Sequence, residues 1–328
     1  MKLFITGASG FLGRRVVQRL LRDHHEVSAL ARTEGQAKQL KNQGVTPVMG
    51  ILESLSDWRD SLRDQEVVIH LAAKVDTWGV WDAFYQNITE STKRLAWESE
   101  RSGVRRFIYI SSESVLQSGK PLVDIDEQHP YPARPSSFYG RAKMLAEQAC
   151  LEHVGHMEIV ILRPTFIWGE DSLQLHDLID RARKGNLPWF NHGDALFEHV
   201  YVGNVAEAVV QAVTYGRNRE IYFVTNDEPM RVRDFWGEVF RRAGAPLPRM
   251  SLPSKPVYRI AGWMEAAWPK LRLKNRPPFT RFEVEFLALP RRYNIQKAKE
   301  ELRYKPSVTF QQGLRLLTAG GAGGGWGG

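Results

Sequence analysis

Two residues four apart carry the most readable chemistry in this sequence: Tyr139 and Lys143, in Phe138-Tyr139-Gly140-Arg141-Ala142-Lys143. On a helix that spacing puts both side chains on one face. A free phenol titrates near ~10, and a neighbouring ammonium favours its phenolate, bringing it towards the range useful for proton transfer. Ser112, in Ser111-Ser112-Glu113-Ser114-Val115, is suited to donate a hydrogen bond to a carbonyl oxygen. Alone, a Tyr-x-x-x-Lys pair arises by chance on many helices, so its meaning depends on its surroundings. The decisive surroundings are at the start of the sequence. There, glycines at 7, 10 and 13 stand between the apolar run Leu3-Phe4-Ile5-Thr6 and a helical pattern. Gly7 permits a tight turn, Gly10 lets a pyrophosphate approach the backbone, and Gly13 lets helix and strand pack closely. Ser9, Phe11 and Leu12 then offer free N–H groups and the positive dipole end of the helix to the phosphates. A Gly-rich turn without a ligand is the plain alternative, and the strand before and helix after argue against it.

These residues need a frame to hold them. Phe11, Leu12, Val16, Leu20 and Leu21 recur at helical spacing after the first strand. Glu26–Leu30, Thr46–Met49, Val67–Leu71 and Val104–Ser111 read as further strands with helical patterns between them. Glu158–Leu162 reads as another, closed by Arg163-Pro164 because proline cannot continue a ladder. This alternation predicts an α/β fold, a Rossmann-type doubly wound parallel sheet covered on both faces. Ser112 then follows strand five, and Tyr139 opens an alanine-rich helix. Strand four ends in small residues, so Leu71, Ala72 and Ala73 are expected against a cofactor, as is Pro164 at its own strand end. His70 reads as a packing or hydrogen-bonding residue rather than a base. Asn87 is expected to cap the helical run that extends to Glu100, or to order an active-site water. Strand two ends Ala29-Leu30-Ala31-Arg32-Thr33, without the carboxylate that would hold ribose hydroxyls. Arg32 suits a 2′-phosphate, so NADP(H) is favoured over NAD(H), a merely solvent-facing Arg32 being the alternative.

From Gly169 the regular alternation stops. Leu173–Lys184 reads as helix and Leu187–His192 as an aromatic loop, before Val200–Tyr215 and Ile221–Val224 return to the sheet. A dinucleotide-binding domain is therefore expected over residues 1–168, rejoined by 200–225. Residues 169–199 and 226–319 would form a smaller, mostly helical C-terminal substrate lobe, and the Gly-rich stretch 320–328 a disordered tail. Ligands of open α/β sheets bind outside the carboxyl ends of the strands. Substrate is thus expected where the small lobe closes over Ser112 and Tyr139, near Trp78, Trp81, Trp168 and Phe190, aromatics that would serve equally well as core. In Ser254–Arg272, apolar residues at helical spacing accompany Trp263 and Trp268, with Lys255, Arg259, Lys270 and Arg272 nearby. The segment suits either a lid packed on the sheet lobe or a peripheral membrane contact.

The 328 residues carry a net charge of +8, with 43% hydrophobic and 25% charged residues, ordinary values for a soluble globular protein. The charge is uneven: between Arg241 and Lys305 there are sixteen Lys/Arg against five Asp/Glu. Such a block suits an anionic substrate, an acidic membrane surface, nucleic acid or plain solvation; a nucleic-acid partner is not expected. The single cysteine, Cys150, excludes an internal disulfide and fits a reducing compartment. It falls in the apolar register of a helix and reads as an inert core thiol. No window approaches eighteen uninterrupted apolar residues, so a cytoplasmic protein is expected, at most peripheral at a membrane. His153 and His156, with Glu152 and Glu158, have metal spacing only superficially, and no metal is expected.

Taken together, Thr6-Gly7-x-x-Gly10-x-x-Gly13, the His70–Ala73 strand end, Ser112, Tyr139-x-x-x-Lys143 and Arg163-Pro164-x-x-x-Trp168-Gly169 resemble the extended short-chain dehydrogenase/reductases. The likeness runs from Lys2 to about Leu317. Tyr222-Phe223-Val224-Thr225-Asn226-Asp227-Glu228-Pro229-Met230 and Tyr293-Asn294-Ile295-x-Lys297-Ala298 resemble the 3β-hydroxysteroid dehydrogenase branch. That branch includes decarboxylating sterol-4-carboxylate dehydrogenases and bacterial reductases of 2-alkyl-3-oxo acids. The resemblance implies Tyr139 as acid–base, Lys143 as the residue that lowers its pKa and holds the nicotinamide ribose, and Ser112 as the residue that orients the substrate oxygen. It further implies reversible alcohol/ketone chemistry on a bulky apolar substrate, 3β-hydroxysteroid-like or a long-chain 3-oxo acid. A homodimer paired through the helices following Asn87 and Phe138 goes with it. Two departures stand out. The acidic residue that often follows the third strand and touches adenine is absent from Gly50-Ile51-Leu52-Glu53, and the usual acidic pair before Val205-Ala206 is Gly203-Asn204. Two other readings stay open: a sugar-nucleotide epimerase or dehydratase, against which Arg32 counts, and a non-catalytic NADP(H)-sensing regulator, a class that often lacks the tyrosine or the lysine.

Overall fold

The computed structural model describes residues 1–73, 78–271, 273 and 275–320. Short apolar strands that alternate with one-faced helices bury their surfaces by lining up side by side with helices above and below. Seven strands do so: β1 Lys2–Thr6, β2 Glu26–Ala31, β3 Thr46–Met49, β4 Val67–His70, β5 Arg106–Ile110, β6 Glu158–Pro164 and β7 Glu220–Val224. They form one parallel sheet in the order β7-β6-β5-β4-β1-β2-β3. The winding reverses between β1 and β4, and this switch point opens a crevice at the carboxyl ends of the strands.

The helices are α1 Phe11–Arg22, α2 Glu34–Asn42, α3 Ser91–Arg101, α4 Phe138–Leu151, α5 Leu173–Arg183, α6 Val202–Thr214, α7 Val232–Arg242, α8 Ser254–Ala267, α9 Arg281–Ala288, α10 Gln296–Glu301 and α11 Phe310–Gly320. Strand periodicity divides the sheet's side chains between two layers. Leu3 and Ile5 share a core with Val16, Val17 and Leu20 of α1 and Val205 and Val209 of α6. Phe4 faces the other way, into a core with Leu95 of α3 and Ala142, Ala146 and Cys150 of α4. Cys150 is fully buried, and burial pushes its thiol up.

A third core, rich in aromatic rings, lies under α5, α7, α8 and α9, with Phe166, Trp168, Phe197, Phe235, Trp236 and Phe310. Trp168 and Phe190 belong to it at 0% and 1% exposure, so both are core rather than surface facing a ligand. Asn87 does not cap a helix: it lies inside a continuous run that enters α3 through Trp81–Phe84 and π-helical Tyr85–Glu90. Its Nδ2 donates to Ala83 O at 2.8 Å. β6 extends through Pro164, which is its last residue and needs no further ladder donor. Of the segment read as Ser254–Arg272, Ser254–Ala267 is helix, while Arg272 lies outside the described residues, as do residues 321–328 of the Gly-rich stretch. Among the described residues no helix is long and apolar enough to cross a membrane.

Candidate active site

At the switch point, β1 passes into α1 through Gly7-Ala8-Ser9-Gly10. Gly7 has φ +79°, and a Cβ there would lie 2.7 Å from Ala72 N, so conformation and space both exclude a side chain. Gly13 is tighter still, since its Cβ would fall 2.0 Å from Gly7 O. These glycines let α1 close directly onto the turn. Gly10 occupies the N-cap without a side-chain cap, so the first N–H groups of α1, beginning with Phe11 and Leu12, face the crevice uncovered. A bare helix N-terminus over a turn that side chains would fill fits a pyrophosphate. Leu71, Ala72 and Ala73 pass beside the turn, with Leu71 N–H donating to Thr6 O at 3.1 Å and Ala72 N–H to Thr6 Oγ1 at 3.4 Å. Arg32 is exposed just beyond β2. Pro164 is buried at the end of β6, which pairs with the end of β5 that leads to Ser112.

Ser112 leaves β5 in extended conformation and caps the short turn Glu113–Leu116, its Oγ accepting Ser114 N–H at 3.2 Å. α4 begins on this same loop. Its cap, Ser137, accepts Gly140 N–H at 3.0 Å, and a Cβ on Gly140 would lie 2.4 Å from Ser114 O. That close approach brings the Tyr139 phenol beside the Ser112 hydroxyl. Burial pushes the phenol up to about 12; the nearby Ser112 hydroxyl opposes the rise and the Glu113 carboxylate adds to it. Lys143, one turn along, donates from Nζ to Ile110 O at 2.6 Å and sits 4.7 Å from the Tyr109 ring centre. Burial pulls its ammonium down to about 7, against the Glu147 carboxylate, which raises it. Here the structure departs from the expectation of a depressed phenol. Helical spacing puts two residues on one face without aiming the amine, which takes a nearby buried carbonyl. The phenol therefore stays protonated at neutral pH.

His70 is a structural tie. Its Nδ1 lies 2.6 Å from Thr6 Oγ1 and its Nε2 3.0 Å from Thr92 Oγ1, and burial brings it down to about 3. Two buried charge clusters that sequence reasoning missed brace the site. Glu147, one turn beyond Lys143, accepts from Arg163 Nε at 2.9 Å, Arg163 Nη2 at 2.7 Å and Tyr131 OH at 2.7 Å, fixing α4 to β6. Glu113, beside Ser112, accepts from Arg291 Nη1 at 3.2 Å and Tyr293 OH at 2.6 Å. The i, i+4 series Tyr139, Lys143, Glu147 signals the first cluster. The second joins residues 178 apart, which no local pattern reports. Asn204, where an acid is usual, bonds Asn226 Oδ1 at 2.7 Å and Val308 O at 2.8 Å and accepts from Ser307 N–H at 3.0 Å, so that departure concerns packing. Among the described residues no group of three or more His, Cys, Asp or Glu could hold a metal.

A dinucleotide turn at the switch point of a parallel sheet, beside a serine, a tyrosine and a lysine, defines an NAD(P)-dependent oxidoreductase of the extended short-chain dehydrogenase/reductase class. Residues 4–254 match the 3-beta hydroxysteroid dehydrogenase/isomerase family, and the chain belongs to that family. It is 32% identical over 326 residues to the 4-hydroxy-2-methyl-3-oxo-4-farnesyl-3,4-dihydroquinoline-1-oxide ketoreductase of Stigmatella aurantiaca, covering 99% of this chain and 98% of that one. It is 31% identical over 331 residues to a 2-alkyl-3-oxoalkanoate reductase of Stenotrophomonas maltophilia, covering 98% and 100%. Among solved structures, UDP-glucuronic acid 4-epimerase from Bacillus cereus in complex with NAD superposes with a TM-score of 0.74 at 22% identity, over 96% of this chain and 94% of that one. At that identity the likeness speaks for the fold alone.

Proposed function

We propose that the protein interconverts a secondary alcohol and a ketone on a bulky apolar substrate, 3β-hydroxysteroid-like or a long-chain 3-oxo acid, with NADP(H) preferred and Tyr139 as acid/base. The observation that carries this reading is the neighbouring pair of hydroxyls, Ser112 and Tyr139, at the strand ends beside the glycine turn. A phenol that keeps its proton at neutral pH is suited to deliver it to a carbonyl oxygen as reduction proceeds. Ser112 donates to the same oxygen and fixes its orientation. Lys143, with a pKa brought near 7 by burial, exchanges a proton readily behind the tyrosine.

The turn Gly7, Ser9, Gly10, Phe11, Leu12 and Gly13 would hold the pyrophosphate, Arg32 the 2′-phosphate, and Leu71, Ala72, Ala73 and Pro164 the walls around the nicotinamide half. When bound, that group exchanges a hydride with the carbonyl carbon. Residues 169–199 and 226–319 would shape the substrate side, and the farnesyl and alkyl groups in the relatives' names support an apolar occupant. The helices α3 and α4 would pair two copies, a reading supported by Trp97 standing 53% exposed on α3. Tyr139→Phe is expected to cut ketone reduction by about 10²–10⁴-fold while NADPH fluorescence on binding is retained. Turnover near the wild-type rate would refute the assignment.

A further inference from the structure

We infer that the outer face of α8 docks on an anionic phospholipid surface and holds the mouth of the proposed site against it. The helix is two-sided. Val257, Tyr258, Ala261 and Met264 pack into the aromatic core. The Tyr258 OH also lies close to Ser136 and Glu285, and a Cβ on Gly119 would meet it at 2.9 Å. Ser136 directly precedes the cap of α4, and Gly119 follows the Ser112 loop. The inner face of α8 thus rests on both segments that carry the paired hydroxyls.

The outer face is apolar and open. Ile260 is 51% exposed and Trp263 77%, and just past the helix end Leu271 is 66% exposed. Leu271 N–H still bonds Ala267 O at 2.9 Å, so the helical path continues to it. At 3.6 residues per turn, Ile260, Trp263, Ala267 and Leu271 fall in one stripe. Single exposed apolar residues are ordinary, whereas a contiguous stripe marks a contact surface.

Charge decides the occupant. Lys255, Arg259 and Lys270 are exposed along one edge of the stripe, opposite the edge where Val257 and Met264 turn inward. The acid of α8, Glu265, is held by Arg281 at 2.7 Å. A tryptophan-bearing stripe bordered by cations matches the boundary layer of an acidic bilayer, where rings enter among the headgroups and cations meet lipid phosphates. A second copy on the same face would bring like charges together. Surface docking also needs no spanning helix.

Flotation of the full chain tests this, with phosphatidylcholine vesicles that contain or lack phosphatidylglycerol, at low and high salt. Wild type is expected to rise with the acidic vesicles and to partition at least about tenfold more weakly onto neutral ones or in high salt. Ile260→Ser/Trp263→Ser and, independently, Arg259→Gln/Lys270→Gln are each expected to lower partition by about tenfold or more, with unchanged near-UV circular dichroism. Three results would overturn the inference: wild type left at the bottom of the gradient, undiminished flotation of both variants, or a dimer in sedimentation equilibrium that Ile260→Ser/Trp263→Ser splits. The assay uses neither ketone nor cofactor, so its failure leaves the oxidoreductase reading standing, and the reverse also holds.

Discussion

Lys143 is out of reach of water, and its ammonium keeps Ile110 O and the face of Tyr109 as company. Its pKa falls from 10.5 to about 7 on folding, so the unfolded chain binds the extra proton between those values. Stability therefore rises with pH across that window, by about 1.4 kcal/mol per pH unit. Lys143→Met is expected to flatten that slope and to gain stability over wild type more at pH 6.5 than at pH 9.5, read from urea midpoints at the two values. Equal gains at both would mean that the lysine is charged throughout. Arg32 poses a separate question, because it stands exposed beyond β2 where the phosphate of NADP(H) would lie. Arg32→Glu is expected to lower the ratio of kcat/KM for NADPH over NADH by about tenfold or more. A ratio unchanged in steady-state assays with both cofactors would make Arg32 a bystander.

Elements that owe their existence to local pattern were the legible ones. The glycine spacing announces the β1 turn and α1, and apolar runs announce the seven sheet strands to within about three residues at each end. Ser112 and Tyr139 could be named because a strand end and a helix start each carry one. What the pattern could not report was long-range aim. Lys143 turns to Ile110 O rather than to the phenol, and Trp168 turns into a core that only the whole fold assembles. The ladders Leu196–Phe197 with Met230–Arg231 and Leu122–Ile125 with Arg291–Tyr293 are too short to show alternation. The second of these ladders matters, because it delivers Arg291 to Glu113 beside Ser112. Both side chains are buried, at 4% and 7% exposure. Arg291→Leu would strand a carboxylate in the interior and is expected to cost about 3–5 kcal/mol in urea unfolding. Adding Glu113→Gln should restore a large part of that loss, and a double variant no better than the single would rule out the pair as the cause.

Beyond Lys143, three further buried ionisable groups set opposing pH dependences, and their balance can be measured. His70 ties β1 and β4 to α3, and His199 accepts Trp168 Nε1–H at 3.1 Å inside the aromatic core. Burial brings each from 6.5 down to about 3, so each is neutral in the fold. The unfolded chain binds their protons first, and stability falls as pH drops from about 6.5 towards 3. Glu198 works in the opposite direction. It is 3% exposed, one carboxyl oxygen has no hydrogen-bond partner among the described residues, and burial pushes it from 4.5 up to about 8. The fold keeps a proton that the unfolded chain releases above 4.5, so this contribution is complete below that value and lost as pH rises through 8. Glutamine mimics the protonated acid in shape and charge. Glu198→Gln should therefore match wild type in urea stability near pH 5 and exceed it by about 3 kcal/mol near pH 8.5. If the two proteins differ by the same amount at both pH values, the Glu198 carboxyl is ionised inside the fold, stabilised from the pocket it lines with Asp124, Asp227, Arg292 and Lys299.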